Sequence, residues 1–89
     1  MIICTTSICQ KFEVIDTVFV IHGEKAGGFL GTGGIDFNQG IDSVKAKLAD
    51  KARGLGADAV IGVDFEQRVA PDAKWIEFFA YGTAVKIIE

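Results

Sequence analysis

The sequence is poor in the residues from which catalytic and metal sites are usually built. Its 89 residues include one histidine, His22, and two cysteines, Cys4 and Cys9. A catalytic site needs a nucleophile or a general base with a partner group close by. No motif places the histidine beside a cysteine, and the carboxylates are scattered singly along the chain. The composition therefore favours a protein that is not an enzyme.

The sequence also lacks an excess of positive charge. Nine lysines and arginines stand against 12 aspartates and glutamates, which gives a formal net charge of -3. Nucleic acids and anionic membrane surfaces select proteins in which lysine and arginine cluster. We therefore expect neither a nucleic acid nor a membrane as a partner.

Long hydrophobic runs and the features of an export signal are missing as well. No stretch approaches the roughly 18 consecutive apolar residues of a transmembrane helix. The N-terminal segment MIICTTSICQKFEVI has neither a basic part nor an uninterrupted apolar part, and a secretory signal needs both. These features predict a cytoplasmic protein. In that reducing compartment Cys4 and Cys9 are expected to be free thiols.

Apolar residues, in contrast, are abundant and make up 49% of the chain. We expect residues 1–89 to form a single domain, because half of the chain would be too small to bury a core. A small monomer has proportionally more surface to cover with polar groups. The surplus of apolar side chains therefore predicts a homo-oligomer.

One amphipathic helix is predicted in the middle of the chain. It begins near Asn38 or Gly40 and is stopped by Gly56, since glycine readily adopts the left-handed conformation that ends many helices. Apolar residues recur at spacings of three and four, which is typical of one buried helical stripe. The stripe consists of Ile41, Val44, Leu48, Ala52 and Leu55.

Four strands are predicted around this helix, a short one at Ile2-Ile3 and three long ones. The long strands are rich in β-branched and aromatic residues and are apolar on both faces, which means that both faces need to be covered. Their expected positions are residues 12–21, 57–69 and 74–88.

The last two strands are expected to pair as an antiparallel hairpin, because only a short turn segment around Pro71 separates them. Within the hairpin, Gly62 predicts a bulge or a close approach by other backbone. Simple alternation places Val60 and Val63 on opposite faces. In the final strand it places two sets of side chains on opposite faces, Trp75, Phe79 and Tyr81 on one and Ile76, Phe78 and Ala80 on the other.

The glycine-rich segment from Gly23 to Gly40 invites comparison with phosphate-binding loops. Neither GxxxxGK[ST] nor a GxGxxG sequence between a strand and a helix is present, and these are the arrangements that cradle phosphate. We interpret the segment as a packed or flexible loop.

Two local motifs carry a resemblance to a known family. GADAVIGV at residues 56–63 follows the predicted helix, and GTAV at residues 82–85 closes the chain. Together with Thr5-Thr6 and the pair Gly23-Glu24, they resemble the YbjQ-like family, which is named for heavy-metal binding and whose members carry a GA(N/D)AVxG strand and a terminal GTAV strand. The family's usual middle segment is longer than residues 25–39 here.

The resemblance implies an architecture rather than a reaction. It implies an α+β subunit in which a β-β-α-β-β chain forms an antiparallel sheet with one helix packed on one face, as in dodecin subunits. It also implies assembly into a homo-oligomeric ring, for which a pentamer is the expected form. No catalytic residue follows from it.

Three functions remain open at this stage. The first is a non-enzymatic oligomeric protein that binds a ligand or partner through the assembled ring. The second is a binder of a soft divalent metal ion through Cys4, Cys9 and His22, which could meet at one end of the sheet if the strand at Ile2 pairs with the strand at Phe12. The third is a carrier of a small molecule or cofactor stacked on aromatic side chains, namely Trp75, Phe78, Phe79 and Tyr81.

Overall fold

The computed structural model describes residues 1–25, 37–69 and 75–88. The elements are, in chain order, β1 (Ile2–Ile3), β2 (Phe12–Lys25), α1 (Phe37–Gly54), β3 (Ala59–Val69) and β4 (Trp75–Ile87). This order confirms the predicted β-β-α-β-β arrangement of an α+β protein. β2 is longer than predicted and continues beyond Ile21. The core of the glycine-rich segment, residues 26–36, and the turn around Pro71 lie outside the described residues.

The four strands form one sheet in the order β1-β3-β4-β2. β4 pairs antiparallel with β2 on one side and with β3 on the other. β1 pairs with β3 in the parallel direction, so the prediction of an antiparallel sheet is wrong for this strand. The reason is the connection between β1 and β2, which passes from one edge of the sheet to the other instead of turning back as a hairpin.

One face of the sheet packs against α1 and contains the core. From the helix, Val44, Leu48 and Ala52 are fully buried, which confirms the central part of the predicted stripe. Phe78 of β4 lies directly beneath Gly40, where an added Cβ would overlap the phenyl ring. The strands contribute the other main members of this core, namely Val18, Val60, Val63, Ala80 and Ala84. Within the described residues, no helix is long and apolar enough to cross a membrane.

Leu55 does not join the buried stripe, because the helix ends before it. Gly56 has a φ of 80°, and its N–H donates to the carbonyl of Arg53 at 2.9 Å. The N–H of Ala57 donates to the carbonyl of Ala52 at 3.0 Å, which completes the two-bond Schellman arrangement of a helix end. The predicted stop at Gly56 is confirmed, and the predicted burial of Leu55, which is 42% exposed, is wrong.

Gly62 forms the predicted bulge in β3. Its φ is 60°, and the register between β3 and β4 shifts between Ile61 and Asp64. A bulge adds one residue to a strand and so reverses the alternation of side chains beyond it. Val60 and Val63 therefore both belong to the core, and the prediction that they lie on opposite faces is wrong.

The core assignment is tested by Leu48→Ala. We expect this change to lower the free energy of unfolding by about 2 to 5 kcal/mol, because it removes a fully buried leucine and leaves a cavity. Urea denaturation followed by circular dichroism measures the effect. Lys45→Ala, at an exposed position of the same helix, is the control and should change stability little. Equal small effects of the two substitutions would contradict the assignment.

Candidate functional site

The face of the sheet opposite α1 carries an uncovered group of large apolar side chains, which we call the outer strip. Alternation along β4 places Trp75, Phe79 and Tyr81 on this face, while the pairing register brings Phe19 and Ile21 of β2 beside them. Phe19 is 48% exposed, and Ile21 and Trp75 are each 44% exposed. Single exposed apolar residues are ordinary, whereas a contiguous group marks a surface that contacts something.

The aromatic rings of the outer strip contact one another. The ring centroids of Phe19 and Phe79 are 6.0 Å apart, and those of Phe19 and Tyr81 are 6.3 Å apart with an interplanar angle of 27°. Such offset pairs are favourable, so they hold the strip as one surface. Phe78, which the carrier hypothesis grouped with these rings, lies on the other face and is fully buried. It is therefore not available as a stacking platform.

Two carboxylates of β3 converge on the phenol of Tyr81. The hydroxyl lies 2.8 Å from Oε2 of Glu66 and 3.2 Å from Oδ2 of Asp64. In the sequence the carboxylates are scattered singly along the chain, and the common partner of these two was missed. The hairpin register, which places Asp64 opposite Tyr81, was the signal that could have identified it.

A second polar pair lies next to this cluster. Nε of Arg68 donates to Oε1 of Glu77 at 2.7 Å, and the guanidinium lies 5.2 Å from the ring centroid of Phe79. Arginine over an aromatic face is a favourable arrangement. The charged side chains described on β3 and β4 beside the outer strip are thus paired among themselves or with Tyr81, and the strip itself is an exposed apolar part of this face.

The carboxylates hold Tyr81 in its protonated form. The hydrogen bond to Glu66, partial burial, and the negative charge of Asp64 together raise the pKa of Tyr81 from 10.0 to about 12. At neutral pH the phenol is therefore a hydrogen-bond donor. It is not poised to act as a base or a nucleophile, since both roles require a lowered pKa.

This cluster predicts a measurable titration. Tyr81 is the single tyrosine of the chain, so tyrosinate absorbance reports on it alone, and we expect its pKa to lie near 12. Because the folded pKa exceeds the unfolded value, the interaction stabilises the fold below about pH 10, and this contribution is lost as the pH rises through the folded pKa. Glu66→Gln should lower the pKa towards its ordinary value, while Glu13→Gln, at an exposed site on β2, should not. A wild-type pKa near 10 would contradict the assignment.

The three predicted metal ligands do not come together within one copy of the chain. Cys4 follows β1 at one edge of the sheet, where its N–H donates to Val60, and His22 lies on β2 at the other edge. Val60 pairs with Ala84 and His22 pairs with Phe78, so the two sites are six positions apart along β4. At about 3.3 Å per residue, this places them roughly 20 Å apart along the strands, in addition to the width of the sheet.

The proposed meeting of the thiols and the imidazole at one sheet end is therefore wrong for a single copy. It required β1 to pair with β2, and β1 pairs with β3 instead. Within the described ranges, no three side chains of histidine, cysteine, aspartate or glutamate are grouped so that they could hold a metal ion. The described residues of one copy therefore do not fit a three-ligand metal site.

Each of these residues has its own local environment. Both cysteines are free, Cys4 partly buried and Cys9 exposed, and the thiol of Cys4 donates to the carbonyl of Thr6 at 3.1 Å. Nε2 of His22 lies 2.9 Å from Oε1 of Glu24. Nδ1 of the same ring is buried and has no partner among the described residues. None of these contacts pairs a thiol with a general base.

Fold and surface together define a class, which is the small α+β protein with a four-stranded sheet, one helix on one face and an uncovered apolar strip on the other. A family model described as "Putative heavy-metal-binding" matches residues 27–88. The chain belongs to this YbjQ-like family, and the resemblance of the GADAVIGV and GTAV motifs is thereby confirmed.

Two similar proteins span almost the whole chain. A UPF0145 protein of Trichodesmium erythraeum (strain IMS101) is 33% identical over 107 aligned positions, which cover 98% of this chain and 99% of that protein. A crystal structure of a DUF74-family protein of unknown function from Pediococcus pentosaceus has a TM-score of 0.82 at 28% identity. It covers 98% of this chain and 97% of that one. Both similarities therefore extend over almost the full length of this chain and of the two proteins.

Proposed function

We propose that this chain is the subunit of a non-enzymatic, cytoplasmic homo-oligomer, assembled as a ring with five copies as the expected number. The ring binds its ligand or partner through surfaces that exist only after assembly. The observation that carries this proposal is the outer strip, in which Phe19, Ile21 and Trp75 remain nearly half exposed in a single copy. A second copy of the chain is the occupant that we assign to it.

The shape of the subunit supports assembly. The chain measures 53 × 19 × 17 Å, with a radius of gyration of 15.1 Å, whereas a compact domain of this length has a radius of about 12 Å. An elongated subunit has more surface for its volume, and here one long side of the sheet is apolar. Burial of this side against another copy is favourable because apolar surface is removed from water.

The polar groups beside the outer strip fit an interface better than a reaction centre. Tyr81 is held protonated by Glu66. Arg68 and Glu77 neutralise one another at the side of the strip. A hydrophobic centre with a paired polar rim is typical of protein interfaces. These contacts favour an association surface, and we assign no catalytic residue.

The proposal predicts that a charge in the outer strip prevents assembly. Light scattering coupled to size exclusion should give wild-type protein a mass several times the 9.5 kDa of one chain. Phe19→Glu should lower this mass, because it places a carboxylate among Phe79, Tyr81 and the acids of β3. Ala46→Glu, on the exposed face of α1, is the matched control and should assemble like wild type. A wild-type protein that remains monomeric at high concentration would refute the proposal.

Binding of a soft divalent metal ion is the second candidate, and the description of the family favours it. Within one copy, the soft donors that lie near each other in sequence are the thiols of Cys4 and Cys9, and His22 is available only from a neighbouring copy. Cysteine thiolates are preferred ligands of soft metals. A metal site would then be a property of the assembly.

Titration of reduced protein with cadmium, followed by thiolate absorbance, tests this candidate. We expect Cys4→Ser and Cys9→Ser each to weaken binding at least tenfold. His22→Ala should weaken cadmium binding only if copies share the site. Comparison with the Phe19→Glu variant, in which assembly through the outer strip should be lost, separates these cases. Absence of binding to reduced wild-type protein would remove the metal candidate and leave the oligomer proposal unaffected.

A further inference from the structure

The proposed ring restricts what the outer strip can contact. A contact in which the strip of one copy meets the strip of another is self-complementary, so it uses both strips and ends at two chains. A ring of five copies needs a contact between two different surfaces of the chain, repeated from each copy to the next. The outer strip must therefore meet a second, different surface of its neighbour.

The polar side of the outer strip favours a partner with a positive charge. The Tyr81 hydroxyl lies within 3.2 Å of carboxylate oxygens of both Glu66 and Asp64, yet it has one proton and donates to one oxygen at a time. Arg68, on the same face, is already bonded to Glu77. Negative charge is thus in excess beside the aromatic rings. A surface that fits the strip should combine apolar side chains with an available cation.

Such a combination occurs at the opposite end of β2 and β4, which we call the far end and define as Lys11, Val14, Ile15 and Ile88. Val14 is 65% exposed, the largest exposed fraction among the large apolar side chains that the structure describes. Ile88 is half exposed as well. Its N–H donates to the carbonyl of Lys11 at 3.0 Å, so the two residues are neighbours. The far end is thus a second apolar surface that includes a lysine.

The charge of the far end complements that of the strip. Lys86 lies opposite Glu13 in the register of β2 and β4 and 3.8 Å from Asp58, so its charge is offset by acids of the same copy. The ammonium group of Lys11, in contrast, has no hydrogen-bond or ion-pair partner among the described residues. Lys11 is therefore the available cation at this end of the sheet.

One copy can use both surfaces at the same time. Val14 pairs with Val85, which lies four positions from Tyr81 and ten positions from Trp75 along β4. At about 3.3 Å per residue, the far end is roughly 13 to 33 Å from the rings of the strip. A neighbour that is seated on the strip therefore leaves the far end free to contact the next copy.

We propose that the far end of each copy covers the outer strip of the next copy. Val14, Ile15 and Ile88 are then buried against the aromatic rings, and the Lys11 ammonium lies against the carboxylates beside Tyr81. Removal of apolar surface from water drives the contact, and the opposite charges fix its orientation. The contact rests on the proposed ring and specifies which surface closes it.

Substitution at either surface alone should prevent assembly. Val14→Glu alters the far end and leaves the strip intact, whereas Phe19→Glu alters the strip and leaves the far end intact. Because each variant lacks one half of the contact, light scattering should give each a mass close to that of one chain. Circular dichroism establishes that both variants are folded, which is expected because both positions are exposed in a single copy.

Mixing the two variants tests whether the two surfaces contact each other. The intact strip of Val14→Glu can bind the intact far end of Phe19→Glu, so the mixture should contain a dimer with one copy of each. Trp75 is the single tryptophan of the chain and lies in the strip. When the Phe19→Glu chain also carries Trp75→Phe, only the strip of Val14→Glu fluoresces. Its emission should shift to shorter wavelength and saturate as the second chain is added.

Two controls accompany this titration. A chain that carries Phe19→Glu, Trp75→Phe and Val14→Glu together has neither surface and should leave the emission unchanged. Lys11→Glu in the added chain should weaken binding by about tenfold or more, because it sets a further carboxylate against Asp64 and Glu66. Lys45→Glu makes the same change of charge at an exposed position of α1 and should leave the affinity unchanged.

Two outcomes overturn the contact. If Val14→Glu assembles like the wild type while Phe19→Glu does not, the strip is covered by another surface. If both variants are monomeric and the titration gives no saturable shift, the two surfaces do not meet. The proposed ring survives either result, since its own failure is recognised by a wild-type chain that stays monomeric.

Discussion

The pairing of β3 with β4 determines the positions of most other features of this protein. The register places Asp64 opposite Tyr81 and Arg68 opposite Glu77. The side chains that form the polar contacts of the outer face are therefore neighbours on the same face of the sheet. The alternation along β4 then places Phe78 under α1 and Phe79 on the outer side. β4 thus supplies the centre of the core and the centre of the exposed surface. A change in its register would move both sets of side chains together.

Much of this arrangement could be predicted from the sequence. The helical stripe at Val44, Leu48 and Ala52, the stop at Gly56 and the hairpin of β3 and β4 depend on local patterns, and the structure agrees with them. Local periodicity is a strong signal because it reflects which side chains share a face of one element.

The errors arose where the outcome depends on more than one element. β1 could pair at either edge of the sheet, beside β2 or beside β3, and a strand of two residues has no pattern that distinguishes the two edges. In the structure it pairs in the parallel direction with β3. This choice separated His22 from Cys4 and removed the predicted metal site from the single copy. The partner of Asp64 and Glu66 was missed for a related reason, since Tyr81 becomes their neighbour only through the hairpin register. Leu55 was misplaced because a stripe drawn by spacing alone continues past the end of the helix.

The bulge at Gly62 has a consequence for how the length of β3 can vary. At this glycine the alternation of side chains between the two faces of the sheet shifts by one residue. Val60 before the bulge and Val63 after it therefore both face the helix. Removal of Gly62 would restore regular alternation, with Ile61 still opposite Thr83 and Asp64 still opposite Tyr81, and would leave Asp64, Glu66 and Arg68 on the outer face. β3 can therefore become one residue shorter at the bulge without moving a charged side chain, whereas the same deletion beyond the bulge, at Phe65, would turn Glu66 and Arg68 towards α1.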